Sequence, residues 1–316
     1  MEPDLVYQIQ AGPIWNWKVA VDLFLGGAGV GALLFAVALD VFFRGKYKRI
    51  CQTAAWLSPI LICLGLLFLL AKLGRPMHLP LTYLHFNPTS PLWWGSVFQP
   101  LLIVGGIWYA TLWRKPDVKE ASRRTFGWLL AGLAILVGAY HGLLMGVVTA
   151  RPLWSAGPTV VSAMLGFVAT GVAAVMVVHL VRMKIGGRLA NEETAMRFFR
   201  AMSFARNIVM AALILQLGTF FLWWLSLKTG SLQDQQALVA AEEAFGPMFW
   251  SLGIGLGLIL PLALMVFAAW KRGFGSVSKQ VSLVTATSLM ILVGGFFFRL
   301  AVLLGGQVPL PIPTLN

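Results

Sequence analysis

Eight stretches of roughly 20 or more mostly apolar residues, separated by short polar connectors, leave this chain few ways to fold. Each is long enough to cross a hydrocarbon core of about 30 Å. They lie at approximately 18–42, 53–73, 91–113, 125–149, 158–182, 204–227, 247–270 and 280–303. In lipid an unpaired backbone group costs several kcal/mol, so spans of this kind are helical. The sequence therefore predicts an all-α integral membrane protein. Of its 316 residues 59% are apolar and only 11% charged, whereas a soluble domain is about a quarter charged. No polar stretch is long enough to build a large aqueous domain. A net charge of +13 in so apolar a chain points away from nucleic acid. The acidic start (Glu2, Asp4) and the full length of the first apolar run do not resemble a cleavable signal peptide.

The basic residues explain themselves by position. Most of the 24 fall in alternate connectors: Arg44 to Arg49, Arg114 to Arg124, Arg182 to Arg200, and Lys271 to Lys279. The other connectors carry few bases and hold Glu2, Asp4, Asp234, Glu242 and Glu243. The positive-inside rule then places both termini outside, on the periplasmic side. Tryptophans cluster near span ends: Trp15, Trp17, Trp93, Trp94, Trp154, Trp223, Trp224 and Trp250 at the outer ends, Trp113, Trp128 and Trp270 at the inner ends. Such clustering predicts aromatic belts. Gly27 and Gly31 in the first span, and Gly253, Gly255 and Gly257 in the seventh, are expected to serve close helix packing. Residues 228–246 suggest a short surface helix.

Ionisable groups within a membrane are costly and mark sites by default. Asp40, His179 and Arg206 lie within a turn or two of the basic surface, where snorkelling or local pairing accounts for them. Asp22 and His141, with Tyr140, Asn16 and Arg151 nearby, are able to converge near the outer surface. They would offer hydrogen-bond donors and a titratable group beside an aromatic wall, which suits a quinone; a structural pair of Asp22 with Lys or Arg is the plainer alternative. Arg299 either snorkels outward or pairs with Asp22. A b-type haem is not expected. Only His141 and His179 lie within spans, and at about 1.5 Å per residue they differ in depth by well over about 10 Å. Cys51 and Cys63 form no CxxC, so no metal or iron–sulfur ligand set is expected either.

Residues 71–96, AKLGRPMHLPLTYLHFNPTSPLWWGS, lie between two spans and hold His78, His85, four prolines and a Trp-Trp pair. Pro and Gly fix backbone angles and Asn-Pro and Ser-Pro start turns, so the stretch reads as an ordered loop. Its LGRP, HFNPTSP and WG elements resemble the NrfD/PsrC family of quinone-reactive membrane subunits. WNWKVAVDLFLGGAGVGA, GAYHGLLMGVVTARPLW and ILVGGFFFRLAVLLGGQ resemble the family's first, fourth and last spans, in the correct order. One departure is Lys72, where the family pattern is often acidic.

The resemblance implies a single transmembrane domain over 1–316, with eight helices in two bundles. It implies a membrane anchor subunit of a respiratory oxidoreductase, with the substrate site on another subunit. Quinone (menaquinone or ubiquinone) would be the bound substrate, held by Asn16, Asp22, Tyr140, His141 and Arg151, with His141 or Asp22 exchanging protons. Arg299 and Asp40 are each a further candidate for an ion pair or a proton path. Gly74, Arg75, Pro76, His85, Asn87 and Pro88 would meet a ferredoxin-like iron–sulfur subunit, itself joined to a molybdenum or tungsten bis-pterin or a multihaem catalytic subunit. The location implied is the cytoplasmic membrane of a bacterium or archaeon. A secondary transporter and a structural anchor without a quinone site are the competing readings; a transporter calls for broken helices and inverted repeats.

Overall fold

A computed structural model describes residues 15–72, 86–115, 117–148, 150–155, 158–186, 192–270 and 277–309, with the backbone alone for 155, 192–200, 277 and 278. The described residues are helical and contain eight helices long and apolar enough to cross a membrane. In chain order the elements are α1 (Trp17–Phe43), α2 (Lys48–Leu70), α3 (Pro91–Leu112), α4 (Glu120–Gly146), the single turn α5 (Pro152–Ser155), α6 (Thr159–Ile185), α7 (Glu192–Thr229), α8 (Leu232–Pro247), a π-helical stretch (Met248–Ile259), α9 (Leu260–Trp270) and α10 (Val277–Gly305).

Local chemistry sets several boundaries. The Asn16 side chain accepts the Lys18 N–H at 3.1 Å and caps α1, satisfying one of the orphan donors of a helix start. Arg44 (φ 44°) and Gly45 (φ 76°) are left-handed, and this pair turns the chain into α2. Asn87 receives the Thr89 N–H and hydroxyl at 3.2 and 2.7 Å, a turn that delivers Pro91 to the first turn of α3. Ser231 and Asp234 form a capping box at the start of α8. The segment expected as a short surface helix is thus a helix. It continues without a break into the seventh span, through the π stretch into α9. There the Leu260 N–H reaches back five residues to Gly255, next to Pro261, which has no N–H to give. Every described span is unbroken, the seventh changing only its helical pitch.

α1 is the hub, packing on α2, α4, α6 and α10. α1 to α4 form one group. α6, α7, α10 and the 232–270 helix form the other, with α1 and α6 joining the two. The expected glycine contacts exist except at Gly255, where a Cβ would meet only the Trp250 carbonyl of its own helix. A Cβ on Gly27 would enter the Phe167 ring, one on Gly31 would meet the Phe167 carbonyl, and one on Gly171 would meet the Gly31–Ala32 backbone. Gly257 and Gly294 meet backbone to backbone in the second group. Lipid tails supply no hydrophobic drive between helices, so association rests on such close van der Waals approach.

The helix ends bearing the two termini meet on one face. The Trp15 N–H donates to Gln307 Oε1 at 2.8 Å, and Gln307 Nε2 donates back to the Trp15 carbonyl at 2.8 Å. Trp154 stacks on Trp15 at 5.1 Å and donates to the Val302 carbonyl at 2.9 Å. The tryptophans therefore divide. Trp17, Trp94, Trp250, Trp128 and Trp270 are exposed as a belt requires, whereas Trp154, Trp223 and Trp113 are buried and serve packing. Trp223 donates to Leu153 O at 3.1 Å.

At the opposite, basic face, Asp40 takes two bonds from Arg123, Nε at 2.9 Å and Nη2 at 2.8 Å, with the Tyr109 hydroxyl at 3.4 Å. The guanidinium lies 3.8 Å from the Trp113 ring centroid. Asp40 is thus an ion-paired clamp between α1 and α4. Its partner belongs to the first turn of α4, not to the preceding connector. His179 shares a hydrogen bond with Thr53 at 3.1 Å, and Arg206 reaches Asn207 at 3.4 Å.

Three substitutions test these contacts through stability. Gly171→Val is expected to lower the stability of the purified protein by about 1–3 kcal/mol through overpacking. Gly132→Ala, with open space around it, is expected to leave the melting temperature unchanged; equal melting of the two variants would contradict the α1–α6 contact. Asp40→Asn is expected to cost about 3 kcal/mol, because it strands the guanidinium, and chemical denaturation would measure it.

Candidate functional site

Four helices each present one or two residues to one buried spot in the half of the protein nearer the termini. α1 contributes Asp22 and Gly26, α2 Gly65, α3 Gly95 and Gln99, and α4 Tyr140 and His141. Asp22 and His141 are wholly buried, and Gln99 and Tyr140 nearly so. The glycines are there for reach. A Cβ on Gly26 would stand 2.8 Å from His141 Nε2, one on Gly65 would stand 3.0 Å from Asp22 Oδ1, and one on Gly95 would enter the Tyr140 ring.

The protonation pattern of His141 follows from its neighbours. Nδ1 lies 2.8 Å from the Val137 carbonyl, which only accepts, so Nδ1 carries the hydrogen. Nε2 is then an acceptor and takes the Gln99 amide N–H at 3.2 Å. The ring also meets Tyr140 at 5.0 Å and Phe167 at 6.0 Å, both edge-on. Asp22 has the opposite character. Neither of its oxygens has a hydrogen-bond partner, although Tyr140 lies within reach of its charge. Leaving a buried polar atom unpaired costs on the order of 1–3 kcal/mol.

The structure brings together Asp22, Tyr140 and His141 of the residues expected from sequence. Asn16 sits at the start of α1, where its side-chain oxygen is used as the cap. Arg151 is half-buried in a turn, its N–H on the Val148 carbonyl at 3.0 Å, and no described contact joins its side chain to the others. Arg299 does not pair with Asp22, and it does not snorkel outward. Helical side chains lean toward the N-terminus of their helix, and α10 ends at the termini face, so Arg299 leans inward. Its Nη1 donates to the Gly295 carbonyl at 2.7 Å and Nη2 to Thr170 at 3.4 Å. The cation lies 5.5 and 5.0 Å from the Phe24 and Phe167 rings. Phe167 thus touches both His141 and Arg299. Beside Arg299 is a cavity of about 40 Å³ whose lining includes Ser162 and Gln216. Of the partner-facing residues, Asn87 and Pro88 are exposed; Gly74, Arg75, Pro76 and His85 lie outside the described residues.

Sequence reasoning missed Gln99, and with it Gly26, Gly65 and Gly95. A search confined to ionisable groups passes over a neutral amide. The available signal was Gly95 and Gln99 at a spacing of four in an otherwise apolar helix. Among the described residues no group of three or more His, Cys, Asp or Glu is placed to hold a metal ion.

The family model "Polysulphide reductase, NrfD" matches residues 6–311. The chain belongs to the NrfD family. Among relatives, protein NrfD of Escherichia coli is 28% identical, over 93% of this chain and 95% of that protein. A polysulfide reductase chain of Wolinella succinogenes is 25% identical, over 93% and 94%. A selenate reductase subunit of Mesobacillus selenatarsenatis is 21% identical, over 88% and 73%. This NrfD-family protein is accordingly a multi-pass membrane protein whose relatives include named subunits of reductase complexes. The WG element quoted above has a physical reason here, because Gly95 is where the Tyr140 ring lies on α3.

Gly95→Val is expected to displace that ring and loosen the α3–α4 contact. A fall in melting temperature, together with a changed environment for Tyr140 by tyrosine fluorescence or NMR, would be the readout; an unperturbed Tyr140 would contradict the packing described.

Proposed function

We propose that this protein is the quinone-reactive membrane anchor of an oxidoreductase complex. It passes electrons between the quinone pool and an iron–sulfur subunit docked on the termini face. Asp22 carries the reading: a fully buried carboxyl group with no hydrogen-bond partner, next to an aromatic ring and a histidine–amide pair. The chemistry of a quinone matches this set, since its carbonyls need donors and its reduction takes up protons. The names of the relatives, a polysulfide reductase chain and a selenate reductase subunit, support the same class. The complex would sit in the cytoplasmic membrane, with the termini face outside and the catalytic metal centre on a further subunit.

The roles divide by geometry. Asp22 accepts the hydroxyl proton of a quinol, or returns one to a quinone. Gln99 has a second amide hydrogen and a carbonyl oxygen beyond its bond to His141; the hydrogen is donated to a quinone carbonyl, and the oxygen accepts from a quinol hydroxyl. Tyr140 supplies the aromatic wall and a hydroxyl. His141, held neutral by Val137 and Gln99, is the next stop for the proton: once the Gln99 amide turns to the ligand, Nε2 is free to accept. Electrons pass directly between the quinol and the external carrier, leaving the quinol as it becomes quinone or arriving as the quinone becomes quinol, and the residues of the anchor move only protons.

Asp22→Asn and His141→Phe are each expected to reduce quinol-linked turnover at least about tenfold, a loss of one proton-transfer partner. Subunit assembly, and activity of the complex with soluble dyes, should remain. Unaltered quinol-linked rates in both variants would remove the site assignment. Dye activity in a complex that never turned over quinols would favour the purely structural anchor.

A further inference from the structure

On the basic face, a cavity of about 290 Å³ is lined by Arg49, His179, Arg182, Met183, Ile185 and Gly186. We infer that it seats the phosphate of an anionic phospholipid, with the acyl chains lying along α6. The cavity is far larger than the roughly 10–15 Å³ that a water needs. Two guanidinium groups border it, one from the start of α2 and one from the end of α6. Among the described residues neither has a carboxylate within 4.0 Å, the one described ion pair being Asp40–Arg123. Two like charges facing a shared cavity repel, and an anion between them offsets that repulsion.

The cationic wall is held in place. Arg182 Nη1 donates to the Thr53 hydroxyl at 2.6 Å. Thr53 in turn donates to the Arg49 carbonyl at 3.0 Å and shares a hydrogen bond with His179 at 3.1 Å. One threonine therefore links both arginine-bearing segments, α2 and α6, and fixes one guanidinium before any ligand arrives. Arg49 stands in the first turn of α2, where the helix dipole adds positive potential. Arginine offers a fork of donors suited to phosphate oxygens.

The apolar rim distinguishes a lipid from free phosphate. Ile185 is 83% exposed and Val181, one turn earlier on the same helix, is 50% exposed. Both side chains stand on the face of α6 beside the cavity, where a free phosphate would leave them uncovered. Acyl chains would cover them while the headgroup lay between the arginines. Basic pockets between transmembrane helices are suited to anionic headgroups, and each arginine near the surface is worth about 1 kcal/mol, roughly fivefold in affinity.

The test uses the purified full-length protein, or its complex, in neutral detergent. Thermal stability is titrated with phosphatidylglycerol, phosphatidylcholine and inorganic phosphate, and native mass spectrometry counts retained phosphatidylglycerol. The expected result is a saturable rise in melting temperature with phosphatidylglycerol alone. Its midpoint should move about fivefold higher in Arg49→Gln, further in Arg49→Gln/Arg182→Gln, and not at all in Arg114→Gln, which removes a cation from the same face at another place. Should the double variant fail to fold, Arg49→Gln decides by itself, because its side chain makes no described hydrogen bond. An unchanged midpoint in Arg49→Gln overturns the site. So does an equal loss in Arg114→Gln, which would mean surface charge only. An equal response to inorganic phosphate overturns the lipid as the occupant.

Discussion

The close approach of α1 to α6 is the contact on which the rest depends. Gly27, Gly31 and Gly171 remove every Cβ that would hold the two backbones apart. In lipid, where apolar surface gains nothing from facing another helix instead of a tail, such approach is what dispersion can exploit. The consequences reach beyond stability. The approach joins the two helix groups, and it fixes Phe167 against α1. His141 and Arg299 both meet that ring. Polar groups of the two halves are thereby set around one aromatic side group without touching each other.

Water is absent from a membrane interior, so each buried polar group needs a partner within the protein. Asp40 has Arg123 and Tyr109, His179 has Thr53, His141 has Val137 and Gln99, and Arg299 has Gly295 and Thr170. The bonds to Arg123, Tyr109, Thr53, Gln99 and Thr170 join different helices, whereas the Val137 and Gly295 carbonyls satisfy His141 and Arg299 within their own helices. Among these ionisable groups Asp22 stands apart because both its oxygens are unpartnered. That contrast is why the proposed quinone reading rests on Asp22. Neighbouring glycines shape the same place: Gly65 and Gly26 leave room for the carboxyl group and the imidazole, and Gly95 brings Tyr140 onto α3.

Much of this was legible in the amino-acid order. Span length and hydropathy gave eight helices, because length and apolarity are local properties that lipid selects directly; most boundaries lie within a few residues, but α7 begins at Glu192 and the helix of the seventh span at Leu232, well before the 204 and 247 expected. Gly27, Gly31, Gly253 and Gly257 were readable as packing positions because small-residue spacing is visible along one segment. Asp22 and His141 were readable because ionisable groups are rare at such depths, and Tyr140 because it adjoins His141. The neutral amide of Gln99 was not, since nothing local distinguishes a polar residue that faces a histidine from one that faces a neighbouring turn. The tryptophans show the same limit. Trp154 and Trp223 sit at span ends like the exposed ones, yet they are buried, and only their carbonyl partners Val302 and Leu153 reveal why.

The sequence by itself determined that this is a helical membrane protein, how many times it crosses, which connectors share a face, and which few ionisable residues need an explanation. Each of these depends on composition along a single segment. The tertiary structure decided which groups pair: that Arg299 turns inward to Gly295 and Thr170 instead of meeting Asp22, that Arg123 answers Asp40, and that Gln99 completes the His141 site. Those outcomes depend on the rotation of each helix about its axis and on how closely glycine lets two axes approach. Both are fixed only when all the helices pack at once.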